Sequence, residues 1–148
     1  MTRIDFYLLE KQPAAKIYSF AARLLEKIHK RQQPGFAAMN SMEECRQFNE
    51  FLWTYSDISF IPHCLAGDEA ARMTPIVLGL ADELPEQTLK QRLYLNFCYD
   101  IPKAMTKLER IIEIVPDEPA WRNMARQKYL HYKKANAEII THKIEPPL

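Results

Sequence analysis

The sequence predicts an α/β protein of three layers, in which helices cover both faces of an open, mainly parallel sheet. Two observations predict it. Short, nearly continuous apolar segments alternate along the chain with segments whose apolar residues recur at steps of three and four. The chain has 148 residues, 47% of them apolar and 26% charged, a size and composition that suit one globular domain over 1–148.

Five segments predict strands, because each is a short run of aromatic, branched or other apolar side chains bounded by polar or turn residues. In chain order they cover residues 3–9, 35–39, 75–80, 92–97 and 110–115. Their near-continuous hydrophobicity is typical of parallel strands that are buried on both faces.

Helices are predicted between these strands. Pro13 stands in the first turn of the first helix, whose apolar positions between Ile17 and Ile28 repeat every three or four residues. Asn40 or Ser41 caps the second helix. In chain order, the predicted helices cover about 13–31, 42–54, 102–108 and some 18 residues that begin within 116–119.

Three remaining segments complete the expected architecture. The aromatic segment from residue 54 to residue 75 is predicted to be a long loop. Asp117 and Glu118 are expected in the first turn of the last helix, where the helix dipole favours acidic side chains. The C-terminal tail, residues 143–148, is expected to be frayed.

Charge and cysteine usage restrict the classes of function. Lysine plus arginine number 20 and aspartate plus glutamate 19, so the formal charge of +1 produces no global field that attracts nucleic acid. No apolar run approaches the roughly 18 residues of a membrane span. Cys45, Cys64 and Cys98 form no C-x-x-C pair, which favours a reduced, cytoplasmic protein.

Cofactor and metal sites are not expected. With three glycines in the chain and Pro13 in the first crossover, the topology is predicted to be Rossmann-like without a nucleotide-binding loop. The spacing of the histidines matches no metal-ligand motif. A cysteine nucleophile stays open, although Cys45 and Cys98 lie in apolar segments that favour plain burial.

The last predicted helix carries a basic stripe. Arg122, Arg126, Tyr129 and Lys133 follow one another at steps of four, three and four, so they share one face beside the strand that ends at Val115. Two interpretations stay open: a small pocket with an apolar floor and a cationic rim, or a solvated face that only aids solubility.

A second candidate surface is aromatic. Large apolar side chains in loops often mark protein interfaces, although a loop that folds back onto its own core is equally common. The residues of this group are Trp53, Phe60, Ile61, Pro62 and His63.

Three segments carry a family resemblance: the opening DFYLL, the run F-x-P-H-x-L-A-G over 60–67 that follows LW at 52–53, and IVPDEPAWRNMARQKYLHYK over 114–133. They resemble the chi subunit of bacterial DNA polymerase III holoenzyme, over nearly the whole chain. The resemblance implies a non-catalytic accessory subunit that needs no cofactor and contacts nucleic acid only indirectly.

The resemblance also implies two partners. One is the psi subunit, which tethers chi to the clamp loader and for which the aromatic group is the expected face. The other is the acidic C-terminal tail of single-stranded-DNA-binding protein, which ends in phenylalanine. Its expected site residues are Val115, Arg122, Arg126 and Tyr129, with Arg126 on the terminal carboxylate; Arg122 and Lys133 would attract the acidic residues upstream.

Two rival functions remain open at this point. The basic helix alone is also consistent with weak, salt-dependent binding of nucleic acid. A small enzyme that uses a cysteine or histidine at the strand ends is the other alternative.

Overall fold

The computed structural model describes residues 2–55, 61–90 and 92–146, and only the backbone at positions 72, 86 and 87. Its strands are β1 Arg3–Leu9, β2 Gly35–Met39, β3 His63–Leu65, β4 Ile76–Leu80, β5 Leu93–Asn96, β6 Arg110–Pro116 and β7 Glu138–Ile144. Its helices are α1 Ile17–Lys30, α2 Met42–Thr54, α3 Glu86–Leu89 and α4 Pro119–Lys134. Single 3-10 turns cover Ala14–Lys16, Glu69–Arg72 and Met105–Lys107.

All strand pairs in the sheet are parallel, and the strand order is β3-β4-β2-β5-β6-β1-β7. The chain therefore passes from β1 to β2 across the positions that β5 and β6 later fill. One face of the sheet packs on α1 and α2, and the other packs on α3, α4 and the turns that precede β6. This arrangement confirms the predicted three-layer α/β fold with a mainly parallel sheet.

The predicted loop over 54–75 is wrong in part, because it contains the edge strand β3 and a 3-10 turn. β3 has only three residues and pairs with β4 from His63 to Leu65. A strand this short has no alternation of its own, and the pairing with β4 is what makes it extended.

The predicted frayed tail is also corrected, because its first two residues belong to β7. Asn136 adopts a left-handed φ of 60°, which ends α4, and the Ala137 amide donates to the Tyr132 carbonyl. The chain then runs along β1 as far as Ile144, whose carbonyl accepts from the Glu10 amide at 2.9 Å. β7 is thus the edge strand of the sheet, beside β1.

Two helix predictions change as well. The expected helix over 102–108 is the single turn Met105–Lys107, and α4 begins at Pro119, after Asp117 and Glu118 instead of including them. Both acidic side chains bond to the β1–α1 connection: Asp117 Oδ2 accepts from the Lys11 amide at 2.9 Å, and Glu118 accepts from the Ala14 amide. These bonds join the end of β6 to the end of β1.

No helix within the described ranges has both the length and the hydrophobicity to cross a membrane.

Candidate functional site

A cleft of about 390 Å³ lies between α4 and the ends of β6, β1 and β7. Its floor is apolar and comes from neighbouring strands, with Phe6 and Leu8 on β1 and Val115 on β6. Leu8 is paired in register with Val115 on one side and with Lys143 on the other. Because side chains in register on adjacent strands share a face, the sheet itself positions the floor and one wall.

The opposite wall comes from α4, which presents Arg122, Ala125, Arg126 and Tyr129 to the cleft. The Tyr129 ring packs against Phe6 with centroids 6.2 Å apart and an interplanar angle of 52°, and the residue keeps 39% of its surface exposed. Tyr129 therefore joins the apolar floor while its edge remains open to a ligand.

The cations of the cleft differ in their partners. Arg122 Nη2 lies 2.8 Å from Asp117 Oδ1 and 3.9 Å from Glu10 Oε2. Arg126 donates only to Asn123 Oδ1, at 3.3 Å, and within the described ranges it has no ion pair. Lys143 faces it from β7. The guanidinium of Arg126 is thus the one best placed to receive an anion from outside.

Val115, Arg122, Arg126 and Tyr129, predicted from the sequence, all line this one cleft. Lys133 does not line it, although it was predicted with them, because the cleft ends near Tyr129.

Sequence reasoning missed several lining residues, and only their place in the sheet reveals them. Apolar patterning identified Phe6 and Leu8 as core but not as a ligand floor, and Lys143 fell in the tail that was expected to be frayed. The missed residues are Phe6, Leu8, Leu9, Glu10, Ala125, Thr141 and Lys143.

A buried polar network fixes α4 on the sheet below the cleft. Glu113 accepts from Lys128 Nζ at 2.9 Å, from the Tyr132 hydroxyl at 2.6 Å and from Asn96 Nδ2 at 2.9 Å. Burial raises the pKa of Glu113, against the opposing effects of the Lys128 charge and these hydrogen bonds. Because every polar partner is satisfied, the network holds the register of α4 and so the position of Arg126.

The second predicted surface is only partly assembled. Trp53 is 56% exposed, and its ring lies 4.8 Å from that of His63. Ile61, however, is 2% exposed and belongs to the core, and His63 is 8% exposed, with Nδ1 donating to the Ile61 carbonyl at 2.7 Å. Pro62 is half-buried, and Phe60 lies outside the described residues. Ile61 and His63 are buried because this segment leads into β3, which packs against α2 and β4.

The described cysteines and histidines do not have the arrangement that a metal site needs. Among the residues described, no group of three or more histidine, cysteine, aspartate or glutamate side chains is arranged to hold a metal ion. Burial raises the pKa of Cys45 and of Cys98 to about 11 each, so both are protonated thiols at neutral pH.

Fold and cleft together define a class: a parallel three-layer α/β protein with an apolar surface cleft between cations. Residues 1–140 match the model of the family described as "DNA polymerase III chi subunit, HolC". The chain belongs to this family, whose members are accessory subunits of a bacterial replicative polymerase.

Curated relatives agree along most of the chain. The DNA polymerase III subunit chi of Pseudomonas aeruginosa is 27% identical over 97% of this chain and 98% of its own length. That of Haemophilus influenzae is 26% identical over 84% and 85%, and that of Escherichia coli is 23% identical over 95% and 97%.

Proposed function

We propose that this chain is a non-catalytic adaptor of DNA polymerase III in the bacterial cytoplasm. In this proposal its cleft binds the C-terminal tail of single-stranded-DNA-binding protein. The opposite edge of its sheet, which carries β3, binds the psi subunit of the clamp-loader complex. The single observation that carries the proposal is the cleft itself, where an apolar floor lies beside a guanidinium without a carboxylate partner among the described residues.

The chemistry of the tail fits that arrangement. A C-terminal phenylalanine brings an apolar ring and a carboxylate on the same residue, so it needs a slot and a cation within a few ångströms of each other. Phe6, Leu8, Val115 and Tyr129 supply the slot, and Arg126 supplies the cation. A bidentate, charge-assisted bond of this kind contributes roughly 1.5 to 3 kcal/mol.

The rest of the tail is acidic, and the rim of the cleft carries both positive and negative side chains. Arg122 attracts it, but this guanidinium is already held by Asp117 and Glu10. Lys143, on the wall opposite Arg126, adds a cation that sequence reasoning had not assigned. Since a flexible tail also loses entropy on binding, we expect a dissociation constant of about 1 μM, or near −8 kcal/mol.

Isothermal titration with an acidic peptide that ends in Pro-Phe tests the proposal. The free-acid peptide binds at about micromolar strength, and the C-terminally amidated peptide binds at least roughly tenfold more weakly, because the amide removes the charge that Arg126 receives. Equal affinity for the two peptides would remove the terminal carboxylate from the mechanism.

The Arg126→Ala variant should weaken binding of the free-acid peptide by at least about tenfold, because it removes the bidentate partner. Arg23→Ala is the matched control, since Arg23 is an exposed arginine of α1 on the opposite face of the sheet. If both variants bind like the wild type, Arg126 is not part of the site.

The psi contact is proposed for the edge of the sheet that carries β3. Its support is the exposed Trp53 ring, which lies 4.8 Å from the ring of His63, the first residue of the outermost strand, at an interplanar angle of 51°. Large aromatic side chains that are half exposed in this way are frequent anchors of protein interfaces. Phe60 and Pro62 extend the proposed contact along the chain.

A further inference from the structure

A second cavity, of about 480 Å³, lies at the carboxyl ends of β2, β4 and β5 and shares no lining residue with the cleft. Leu84, Leu89 and Ile101 make its apolar part, and Asp82, Asp100 and Lys103 stand on its exposed rim. A volume of several hundred cubic ångströms is typical of pockets that hold small molecules.

The position of this cavity in the sheet is significant. β2 and β5 are neighbours, but the chain leaves β2 through α2 toward β3 and leaves β5 toward β6, on the other side. Where the connections of adjacent parallel strands diverge, they open a crevice at the carboxyl ends, and α/β proteins bind ligands in such crevices. The cavity is that crevice.

A buried tyrosine offers the cavity an unused polar group. Tyr94 lines the cavity and is 1% exposed, and its hydroxyl makes no hydrogen bond to another residue in the part of the chain that the structure describes, although it is not among the fully buried unpaired atoms. A hydrogen bond from a ligand to such a hydroxyl adds about 0.5 to 1.5 kcal/mol net, so the cavity favours a ligand with a polar atom at this point. By contrast, the neighbouring Asn96 uses both its amide nitrogen and its oxygen within the protein.

The charges around the cavity disfavour phosphate. Asp82 and Asp100 stand at the rim, and Glu43 and Glu44 occupy the first turn of α2, a helix that begins two residues after Asn40 on the cavity wall. A phosphate at this end of the sheet would meet these carboxylates, with Lys103 as the lining cation. A ligand that carries an ammonium group fits the same rim.

We propose that this cavity is a binding site for a small molecule with an apolar, ring-sized body, a primary amine and a polar atom at the opposite end. The body packs on Leu84, Leu89 and Ile101. The amine pairs with Asp82 or Asp100, and the polar atom bonds to the Tyr94 hydroxyl. This site is independent of the proposed tail and psi contacts.

Tyramine is the probe, because it carries a phenol at one end and an ammonium at the other. Titrated into the ¹⁵N-labelled protein and followed by two-dimensional NMR, it should shift the amides of Ala81, Cys98 and Ala104, which line the cavity. We expect a dissociation constant of about 1 mM for so small a ligand. Its carboxylate analogue, 3-(4-hydroxyphenyl)propionate, should bind at least roughly fivefold more weakly because of the acidic rim.

The role of Tyr94 is tested by comparing tyramine with phenethylamine, which lacks the phenol hydroxyl. The wild type should prefer tyramine by about threefold or more, the value of one added hydrogen bond. Tyr94→Phe should lose this preference, whereas Tyr99→Phe should keep it, since Tyr99 is 57% exposed and lies outside the cavity.

Thermal unfolding of both variants verifies that they are folded. The proposal is overturned if 20 mM tyramine leaves the cavity amides of the wild type unshifted, or if Tyr94→Phe keeps the tyramine preference. Equal binding of tyramine and its carboxylate analogue would overturn the proposal that the acidic rim selects a ligand with an ammonium group.

Discussion

Arg122 and Arg126 carry the same charge on the same helix face, yet their surroundings differ. Arg122 is held at 2.8 Å by Asp117, whereas the one side-chain hydrogen bond of Arg126 within the described ranges is to the amide oxygen of Asn123. The spacing of the two arginines predicted a shared stripe. It did not predict this difference, because Asp117 lies outside α4 and turns back to Arg122, and Glu10 approaches Arg122 only through the pairing of β1 with β6.

Glu10 lines the cleft as an anion, so it should oppose an acidic ligand. We expect Glu10→Gln to strengthen binding of the acidic peptide by roughly threefold to tenfold, because it removes a like charge and releases Arg122 from one of its two partners. Isothermal titration at low and high salt measures the effect, which should shrink as salt rises.

Glu109→Gln serves as the control for that experiment, since Glu109 is an exposed glutamate outside the cleft. The same or weaker affinity in Glu10→Gln than in this control would show that Glu10 supports the site instead of opposing the ligand.

Asp5 is the most heavily paired carboxylate of the sheet. Its oxygens accept from His142 Nε2 at 2.8 Å, from Arg110 Nε at 2.6 Å and from Arg3 Nη2 at 3.0 Å, so one side chain joins β1, β6 and β7. Burial alone would raise the pKa of Asp5, but the hydrogen bonds from these three partners lower it below its ordinary value.

Because the pKa of Asp5 is lower in the folded state than in the unfolded chain, its stabilising contribution is complete above the ordinary value of about 4. It should be lost as pH falls from there toward the folded pKa. Urea unfolding between pH 7 and pH 3 should show this loss in the wild type and a shallower pH dependence in Asp5→Asn. A curve for Asp5→Asn as steep as that of the wild type would assign the acid sensitivity to other groups, and Glu109→Gln is again the control.

Among the elements, those with strong local signals were predicted closely. β2 and α2 occupy the predicted residues 35–39 and 42–54, and the Ser41 side chain caps α2 by accepting from the Glu44 amide at 3.2 Å. Continuous apolar runs and a side-chain cap are properties of neighbouring residues, so the sequence displays them directly.

The two edge strands had no such signal. β3 is three residues long, and β7 reads EIITHKI, a partly exposed strand with charged and polar side chains. What makes them strands is a distant partner, β4 in one case and β1 in the other. Pairing across such sequence distances is a property of the assembled sheet.

Removal of β7 tests its importance for both the fold and the cleft. A chain that lacks residues 138–148 should be less stable and should lose peptide binding, because it leaves β1 unpaired on one side and removes Thr141 and Lys143 from the cleft. A chain that lacks only 145–148 keeps β7 and should behave like the wild type.

Circular dichroism, urea unfolding and peptide titration report on the two truncations. In the 148-residue chain, Lys143→Ala distinguishes the loss of one side chain of the cleft wall from the loss of the whole strand β7. This variant should bind the peptide more weakly, while its urea midpoint should be nearly unchanged. Full peptide binding without 138–148 would contradict the assigned position of the site.

At the scale of the whole molecule, the two proposed contacts lie at opposite edges of one sheet. β3, beside Trp53, is the first strand in the order, and β7, beside the cleft, is the last. With neighbouring strands about 4.8 Å apart, the two edges are roughly 29 Å from each other. Two protein partners therefore have room to bind without touching the same residues.

We predict that psi and the acidic peptide bind at the same time. The affinity for the peptide should change less than about twofold when psi is present, because no side chain is shared. Trp53→Ala should reduce co-purification with psi by at least roughly tenfold and leave peptide binding intact. Tyr99→Ala is the control, since Tyr99 is 57% exposed and follows β5, which lies in the middle of the strand order, away from both edges.

Strong competition between psi and the peptide would contradict the placement at opposite edges. Loss of both activities in Trp53→Ala, together with a lower melting temperature, would instead indicate that the variant is misfolded.

The order in which the strands emerge from a ribosome adds a last consequence. The floor of the cleft is translated early, with β1, but its outer wall is part of β7, which follows every other strand in the chain. A nascent chain that still lacks β7 does not have a complete cleft. In the proposed function, binding of the tail therefore requires that β7 has already paired with β1, which happens only at the end of synthesis.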